Sequence, residues 1–269
     1  MSEKVNINGV IQPIAEATIP VMDHGFLFGD SIYETMRAYQ GRFFRFDAHF
    51  DRLRNSADGL ELVLPLTKEE FLERCEQTVA AAEQPDGAVR IIVTRGVGPM
   101  HIDPIGCDSP NVLVFARPRP RYPEGAYLNG LNIAIVERRR NAKKSLDPNV
   151  KSGNYLNNVL ALVEARKAGA FEGIMCNAEG FIAEGTTSNL FLVKDGVLRT
   201  APLSVGLLSG ITRRTVLELA QTLGIPLNEE RFTAEELRGA DEAFITSTLK
   251  QVMPVTRVDE LTLGDGRRG

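Results

Sequence analysis

Arg117-Pro-Arg-Pro-Arg-Tyr-Pro123 decides how the chain is organised, because three prolines in seven residues interrupt both helix and sheet and favour an extended connector. It predicts a small N-terminal α/β domain over residues 1–117, a linker over 118–124 and a larger domain over 125–269. Working outward toward the N-terminus, Val112–Ala116 and Ala88–Thr94 read as strands. Thr67-Lys-Glu-Glu70 is a capping box that opens a helix with Phe71, Cys75 and Val79 on its inner face. Before it, Phe46, Phe50, Leu53, Ala57 and Leu60 recur at three- and four-residue spacing, one apolar stripe on a helix opening near Asp47.

Toward the C-terminus come a strand over Leu131–Val136, a charged loop, and a helix from Tyr155 to Lys167 closed by Gly169. Its Leu156, Val159, Leu160 and Val163 are expected to face inward. Lys194-Asp-Gly196, between Asn189–Val193 and a strand from Val197, is a hairpin signal. Ile211–Leu223 then reads as a helix ended by Gly224. Strands and helices mix without strict βαβ order, which points to an α+β fold rather than a doubly wound parallel sheet.

Composition narrows the function. The 269 residues are 43% hydrophobic and 25% charged, as in a soluble protein with a core of real size. A net charge of −4, a pI near 5.6 and no basic tract argue against a nucleic-acid or membrane-surface partner. Cys75, Cys107 and Cys176 are odd in number and widely spaced, which fits neither a disulfide framework nor a zinc site. The N-terminal Met1-Ser-Glu-Lys-Val-Asn is no signal segment, and no apolar run reaches the roughly 20 residues that span a bilayer. A cytoplasmic protein with small-molecule partners, and no metal, is expected.

Three places could carry chemistry. Leu208-Ser-Gly210-Ile-Thr212-Arg-Arg runs a small-residue turn into a helix, so the Ile211 and Thr212 amides could receive a phosphate, although these residues taken alone favour a plain glycine turn with Thr212 as the capping residue. Gly96-Val-Gly98-Pro-Met-His101 lacks the third glycine of a dinucleotide fingerprint, and no P-loop occurs, so neither NAD nor ATP is implied. Lys151 lies between a proline-marked turn and an apolar helix, where poor solvation lowers an amine's pKa and favours imine formation. Glu184 ends a short apolar stretch, where a carboxylate could keep a ring nitrogen protonated. Alone, each reads as well as a surface residue.

In order along the chain, seven segments resemble the fold type IV group of pyridoxal-phosphate (PLP) enzymes, which holds branched-chain aminotransferases, D-amino-acid aminotransferases and aminodeoxychorismate lyases. They are Asp23-His-Gly-Phe-Leu-Phe-Gly29, Tyr33-Glu-Thr-Met-Arg37, His49-Phe-Asp-Arg-Leu53, Lys151-Ser-Gly-Asn-Tyr155 with Leu-Asn-Asn-Val-Leu160, Glu184-Gly-Thr-Thr-Ser-Asn-Leu-Phe191, Gly210-Ile-Thr-Arg213 and Ala240-Asp-Glu-Ala-Phe-Ile-Thr246. The resemblance implies a two-domain fold with a mixed, barrel-like cofactor domain, and a homodimer whose site lies between the two domains. It makes Lys151 the Schiff-base lysine and proton shuttle, Glu184 the partner of the pyridine nitrogen and Tyr155 that of the ring's phenolic oxygen. Arg52, the Ile211 and Thr212 amides and Thr248 would hold the phosphate, and Leu208 would pack on the ring. Tyr33, Thr35, Arg37, Arg90 and Leu249 would line the substrate pocket. Family members also continue past Gly269 with a terminal helix.

Within the group, Val89-Arg90-Ile-Ile-Val-Thr-Arg-Gly-Val-Gly98 and Arg37-Ala-Tyr39 most resemble branched-chain aminotransferases. Thr35 departs from their glycine, Ala88 from their tyrosine, and Thr248-Leu-Lys250 from their threonine with two small residues, whose amides help bind the substrate carboxylate. Thr35 and Ser247-Thr-Leu-Lys-Gln-Val-Met-Pro254 are similar to the lyases instead. The Arg and His two apart of D-specific enzymes are absent from Val97–Asp103. The expectation is a ping-pong transaminase moving amino groups from branched-chain L-amino acids to 2-oxoglutarate, with the lyase, a D-amino-acid enzyme and a non-catalytic PLP-binding protein as alternatives.

Overall fold

β-branched and aliphatic residues dominate the N-terminal strands, and in the computed structural model, which describes residues 3–269, they pair into one antiparallel sheet. Its strands are β1 (Lys4–Ile7), β2 (Val10–Pro13), β3 (Ser31–Tyr39), β4 (Arg42–Phe43), β5 (Ala88–Thr94) and β6 (Val112–Arg117), in the order β2-β1-β6-β5-β3-β4. A short α1 (His24–Leu27) precedes β3, and α2 (Phe46–Gly59) and α3 (Lys68–Ala82) pack against the sheet. Ile32 and Met36 of β3 and Val89, Ile91 and Val93 of β5 meet Leu53 and Ala57 of α2 and Phe71, Cys75 and Val79 of α3. Phe46, Phe50 and Leu60 lie at the margin of this core, half-buried. The capping box forms as the sequence predicts: the Thr67 N–H donates to Glu70 Oε2 at 2.7 Å and the Glu70 N–H to Thr67 Oγ1 at 3.2 Å.

Two compact units result. The first holds the chain up to Arg121 and also Val150–Asn154; the second holds Tyr122–Asn149 and Tyr155–Gly269. The short excursion of 150–154 is not signalled by the proline connector, which places those residues in the later domain. It follows from backbone hydrogen bonding. The Tyr33 N–H donates to the Lys151 carbonyl at 3.0 Å and the Gly153 N–H to the Ser31 carbonyl at 2.7 Å, so this segment pairs along β3. A side chain at Gly153 would begin 2.1 Å from Ser31 Oγ, which explains the glycine.

The second unit is built on a mixed sheet of β7 (Leu131–Ile135), β8 (Glu172–Cys176), β9 (Ile182–Gly185), β10 (Asn189–Lys194), β11 (Val197–Thr200), β12 (Leu227–Glu229), β13 (Glu242–Ser247), β14 (Gln251–Val258) and β15 (Leu261–Thr262). The order is β12-β11-β10-β13-β14-β7-β8-β9, with β15 on β14. The β7–β8, β7–β14 and β11–β12 pairs are parallel and the rest antiparallel. The helices are α4 (Ala126–Asn129), α5 (Leu156–Lys167), α6 (Ile211–Thr222) and α7 (Ala234–Arg238). Asp195 and Gly196 both take positive φ, 50° and 75°, in the two-residue turn between β10 and β11, which is the conformation that Asp-Gly favours. The fold is thus α+β, as expected.

One expectation fails. Leu156, Val159, Leu160 and Val163 do not face inward: they are 63, 49, 39 and 46% exposed. The α5 helix rests on β7 and β8 through Ala161 and Ala165, both sealed from solvent, and through Asn158. A Cβ on Gly173 of β8 would meet the Ala161 carbonyl at 3.0 Å and Ala165 Cβ at 3.1 Å. The approach is too close for leucine or valine, so the large apolar residues take the outer face. Among the described residues, no helix is long and apolar enough to cross a membrane.

Removing the capping hydroxyl of α3 with Thr67→Ala is expected to lower stability by about 1 kcal/mol, read as a shift of the urea midpoint with an unchanged slope.

Candidate active site

In the first unit β3 carries different chemistry on its two faces. On the core face Glu34 is fully buried and receives Arg52 Nε and Nη2 at 2.7 and 2.9 Å, one on each oxygen. His49 Nδ1 lies 2.7 Å from Glu34 Oε2; an ionised carboxylate only accepts, so that nitrogen carries the proton. Burial pushes the Glu34 carboxyl up, but the Arg52 and His49 charges and hydrogen bonds outweigh it and hold the group well below the usual carboxylate range. Arg52 is thereby locked in orientation. One turn on, the Ser56 hydroxyl donates to the Arg52 carbonyl at 2.9 Å and accepts the Lys151 N–H at 3.0 Å.

The Lys151 amine lies over the other face. Its Nζ is 3.2 Å from the Tyr33 hydroxyl and 4.2 Å from that ring's centroid, so this is no solvated loop lysine. Thr35 pairs with Arg90 of β5, and Arg37 with Ala88, which sets Tyr33, Thr35, Arg37 and Arg90 on one face. The Arg90 guanidinium stacks over the Tyr33 ring at 4.0 Å and that of Arg37 over Tyr39 at 4.4 Å. Neither arginine forms an ion pair among the described residues, and the Nε of each is buried without a hydrogen-bond partner. Two guanidinium groups with buried, unmet donors are suited to carboxylates.

In the second unit Glu184, near the end of β9, is buried and accepts Arg140 Nε on Oε1 at 2.7 Å. Its Oε2 accepts the Leu208 N–H at 3.0 Å, with Asn189 Nδ2 at 3.5 Å. A carboxylate offers about four acceptor positions, so one further N–H donor can be received. Asn189 Nδ2 also donates to the Leu208 carbonyl at 2.9 Å. This fixes the turn leading into α6. That helix is capped by no side chain: Gly210 is its N-cap, and a Cβ there would lie 2.0 Å from Asn189 Oδ1. Thr212 is therefore not the cap, and the Ile211 and Thr212 amides open a bare helix start that suits a phosphate. The Tyr155 hydroxyl donates to the Thr186 carbonyl at 3.3 Å, two residues beyond Glu184. Thr248 and Leu249 occupy a three-residue turn between β13 and β14, closed by Gln251 at φ 58°.

Of the residues singled out in the sequence, Tyr33, Thr35, Arg37, Arg90 and Lys151 gather on one face in the first unit while Arg52 is held by Glu34 on the other; in the second, Glu184, Leu208 and the start of α6 come together, Tyr155 lies against Thr186, and Thr248 and Leu249 occupy their own turn. Sequence reading missed the side chains that orient them. Glu34 and His49 lay inside quoted motifs, and His49 and Arg52, three apart on one helix face, were a usable sign of a shared carboxylate. Arg140 had no such signal in the charged loop.

Residues 31–258 match the amino-transferase class IV family, and the chain belongs to it. It is 40% identical over 266 residues to a Methanocaldococcus jannaschii protein provisionally named a branched-chain-amino-acid aminotransferase, covering 99% of this chain and 91% of that one. A D-alanine aminotransferase of Listeria monocytogenes serotype 1/2a is 38% identical over 268 residues, with coverage of 99% and 91%. The branched-chain amino acid aminotransferase of Escherichia coli is similar in structure over 100% of this chain and 90% of its own, with a TM-score of 0.95 at 32% identity. Another solved branched-chain amino acid aminotransferase, which carries pyridoxamine 5'-phosphate, reaches a TM-score of 0.94 over the same shares of the two chains. The chain is an aminotransferase of this class.

Because the folded pKa of Glu34 is depressed, its stabilising contribution is present above the unfolded value and drains away as pH falls through the folded one. Glu34→Gln is expected to cost about 3 kcal/mol at neutral pH, since it strands the buried Arg52 charge. In thermal unfolding across a pH series, the gap between wild type and variant should narrow below about pH 4.

Proposed function

We propose that the protein is a PLP-dependent transaminase that takes amino groups from branched-chain L-amino acids and passes them to 2-oxoglutarate in ping-pong fashion. The observation that carries this reading is the pair of arginines without carboxylate partners among the described residues, Arg37 and Arg90, each with a buried, unmet Nε, on the sheet face over which the Lys151 amine lies. Substrates with one carboxylate on the donor and two on the acceptor fit two such cations. The branched-chain relatives support the donor class, and the absence of an Arg and His pair from Val97–Asp103 speaks against the D-specific chemistry of the Listeria relative.

When bound, PLP supplies an electron sink for the charge left on the substrate Cα as its proton departs. The donor set fits that group. Lys151 would attach it through Nζ and carry the Cα proton, Glu184 would keep the ring nitrogen protonated, and Tyr155 would hydrogen-bond the ring oxygen. Arg140 and the Leu208 N–H fix the orientation of the Glu184 carboxylate. The phosphate candidates are Arg52 in the first unit and the Ile211 and Thr212 amides and Thr248 in the second, where Leu208 would cover the ring. The carboxylate candidates are Arg37 and Arg90 in the first unit and the amides of the 248–250 turn in the second, with Tyr33, Thr35 and Leu249 as the residues that would contact the rest of the substrate.

The outer stripe of α5 supports a homodimer, because four large aliphatic side chains at helical spacing on an exposed face are the pattern of a covered interface. Sedimentation equilibrium is expected to give twice the chain mass, and Leu160→Glu to shift it toward the monomer.

For the reaction, leucine, isoleucine or valine with 2-oxoglutarate should give turnover, and Lys151→Ala should lose both the turnover and the visible absorbance of the lysine-bound cofactor. Arg90→Met should keep that absorbance and raise the KM for 2-oxoglutarate tenfold or more, as expected for a charge-assisted hydrogen bond of about 1.5–3 kcal/mol. Turnover of D-alanine alone, or formation of 4-aminobenzoate from aminodeoxychorismate, would replace this reading with the D-specific enzyme or the lyase.

A further inference from the structure

A buried ion pair in the second unit has no role in the chemistry set out above. Glu172, the first residue of β8, is 1% exposed, and Lys250, the last residue of the 248–250 turn, is 9% exposed. The Lys250 ammonium donates to Glu172 Oε2 at 2.7 Å and to Thr187 Oγ1. Glu172 also accepts the Thr186 hydroxyl on Oε1, and on Oε2 the hydroxyls of Thr187 and Ser188 at 3.1 and 3.2 Å. Burial pushes the Glu172 carboxyl up, but the Lys250 charge and these hydrogen bonds hold it below its ordinary value.

The pair joins two turns. One is 185–188, which directly follows Glu184. Its Gly185 N–H donates to the Ser188 carbonyl at 2.7 Å, and a Cβ at Gly185 would lie 2.3 Å from Ser188 Oγ, so the turn is tight and needs its glycine. Thr186 is held on every side: its N–H donates to the Gly173 carbonyl at 2.9 Å, its carbonyl receives Asn158 at 2.8 Å as well as Tyr155, and its hydroxyl reaches Glu172. The other turn is 248–250. The Lys250 N–H donates to Ser247 Oγ at 3.2 Å, and its carbonyl accepts the Tyr127 hydroxyl at 3.1 Å. The Leu249 N–H has no backbone acceptor among the described residues.

Stability alone does not account for such a pair, because apolar residues of similar volume at both positions are often as stable or more so. A lysine in a hairpin loop also has water within easy reach, and this one is turned inward. The Lys250 side chain is long enough to reach from the turn to Glu172 on β8. We propose that Lys250 is a positioning residue: clamped through Glu172 to the turn behind Glu184, it fixes the Leu249 amide for the substrate carboxylate. Tyr155 and Glu184 are held from the same anchor, so one cluster sets the ring-binding groups and the carboxylate-binding turn in register. The carboxylate role of that turn rests on the function proposed above.

The test uses the PLP-loaded protein and 4-methylpentanoate, a carboxylate without an amine, titrated by its effect on the visible absorbance. Lys250→Met alone strands Glu172 and risks misfolding, so the informative variant is the neutral pair Glu172→Gln with Lys250→Met, beside Lys250→Arg. The double variant is expected to keep the cofactor absorbance, to bind 4-methylpentanoate on the order of tenfold more weakly, and to raise KM for leucine with kcat changed less than about threefold. Amide exchange at 185–188 and 248–250 should quicken in the protein without ligand, and Lys250→Arg should restore both readouts. Wild-type affinity and wild-type exchange in the double variant would overturn the proposal. A wild-type protein that carries the cofactor but binds no 4-methylpentanoate would overturn the substrate reading and this proposal with it.

Discussion

The hydrogen bond from the Tyr33 N–H to the Lys151 carbonyl governs the candidate site in the first unit, because it ties a five-residue segment from far along the chain to β3, where Ile32 and Ser152 form an isolated antiparallel bridge. Pairing fixes register, and register fixes which way each side chain points. With Lys151 opposite the Tyr33 end of β3, its amine falls over the Tyr33 ring, and the same ring stacks the Arg90 guanidinium. A shift by one residue would turn the amine toward the opposite side. The Lys151 N–H bond to Ser56 and the close fit of Gly153 against Ser31 resist that slip.

Both units treat buried charge alike. Glu34 is met by Arg52 and His49, Glu184 by Arg140, and Glu172 by Lys250. Each carboxylate is largely removed from water, a cost of several kcal/mol per ion that opposite charge and several hydrogen bonds offset. Arg37 and Arg90 break the pattern. Their guanidinium groups lean on aromatic rings, and no carboxylate meets them among the described residues. Each leaves a buried Nε without an acceptor, in a fold that elsewhere matches its buried carboxylates, and this contrast is what the proposed carboxylate-binding role rests on.

Local signals in the sequence were legible where the physics is local. The α3 capping box, the Asp-Gly hairpin and the core stripe of α2 all depend on neighbours a few residues away. The excursion of 150–154 was not legible, because its cause is a hydrogen-bond register with residues 118 positions earlier, as between Tyr33 and Lys151. The site divided along the same line. Residues in ordered motifs could be read by resemblance, whereas Glu34, Arg140 and Glu172, which aim or anchor them, act through contacts that no short window contains.

The α5 helix makes the distinction sharpest. Its apolar residues do recur at helical spacing, so periodicity located the helix and the stripe. Periodicity reports only that one face differs from the other, not what lies against it. The deciding signal was the small residues on the opposite side: Ala161 and Ala165, with Gly173 across from them, allow a backbone approach that leucine would prevent. A helix that turns alanine to its own sheet and leucine outward gains its close packing from small residues and leaves its larger apolar area on the outer face.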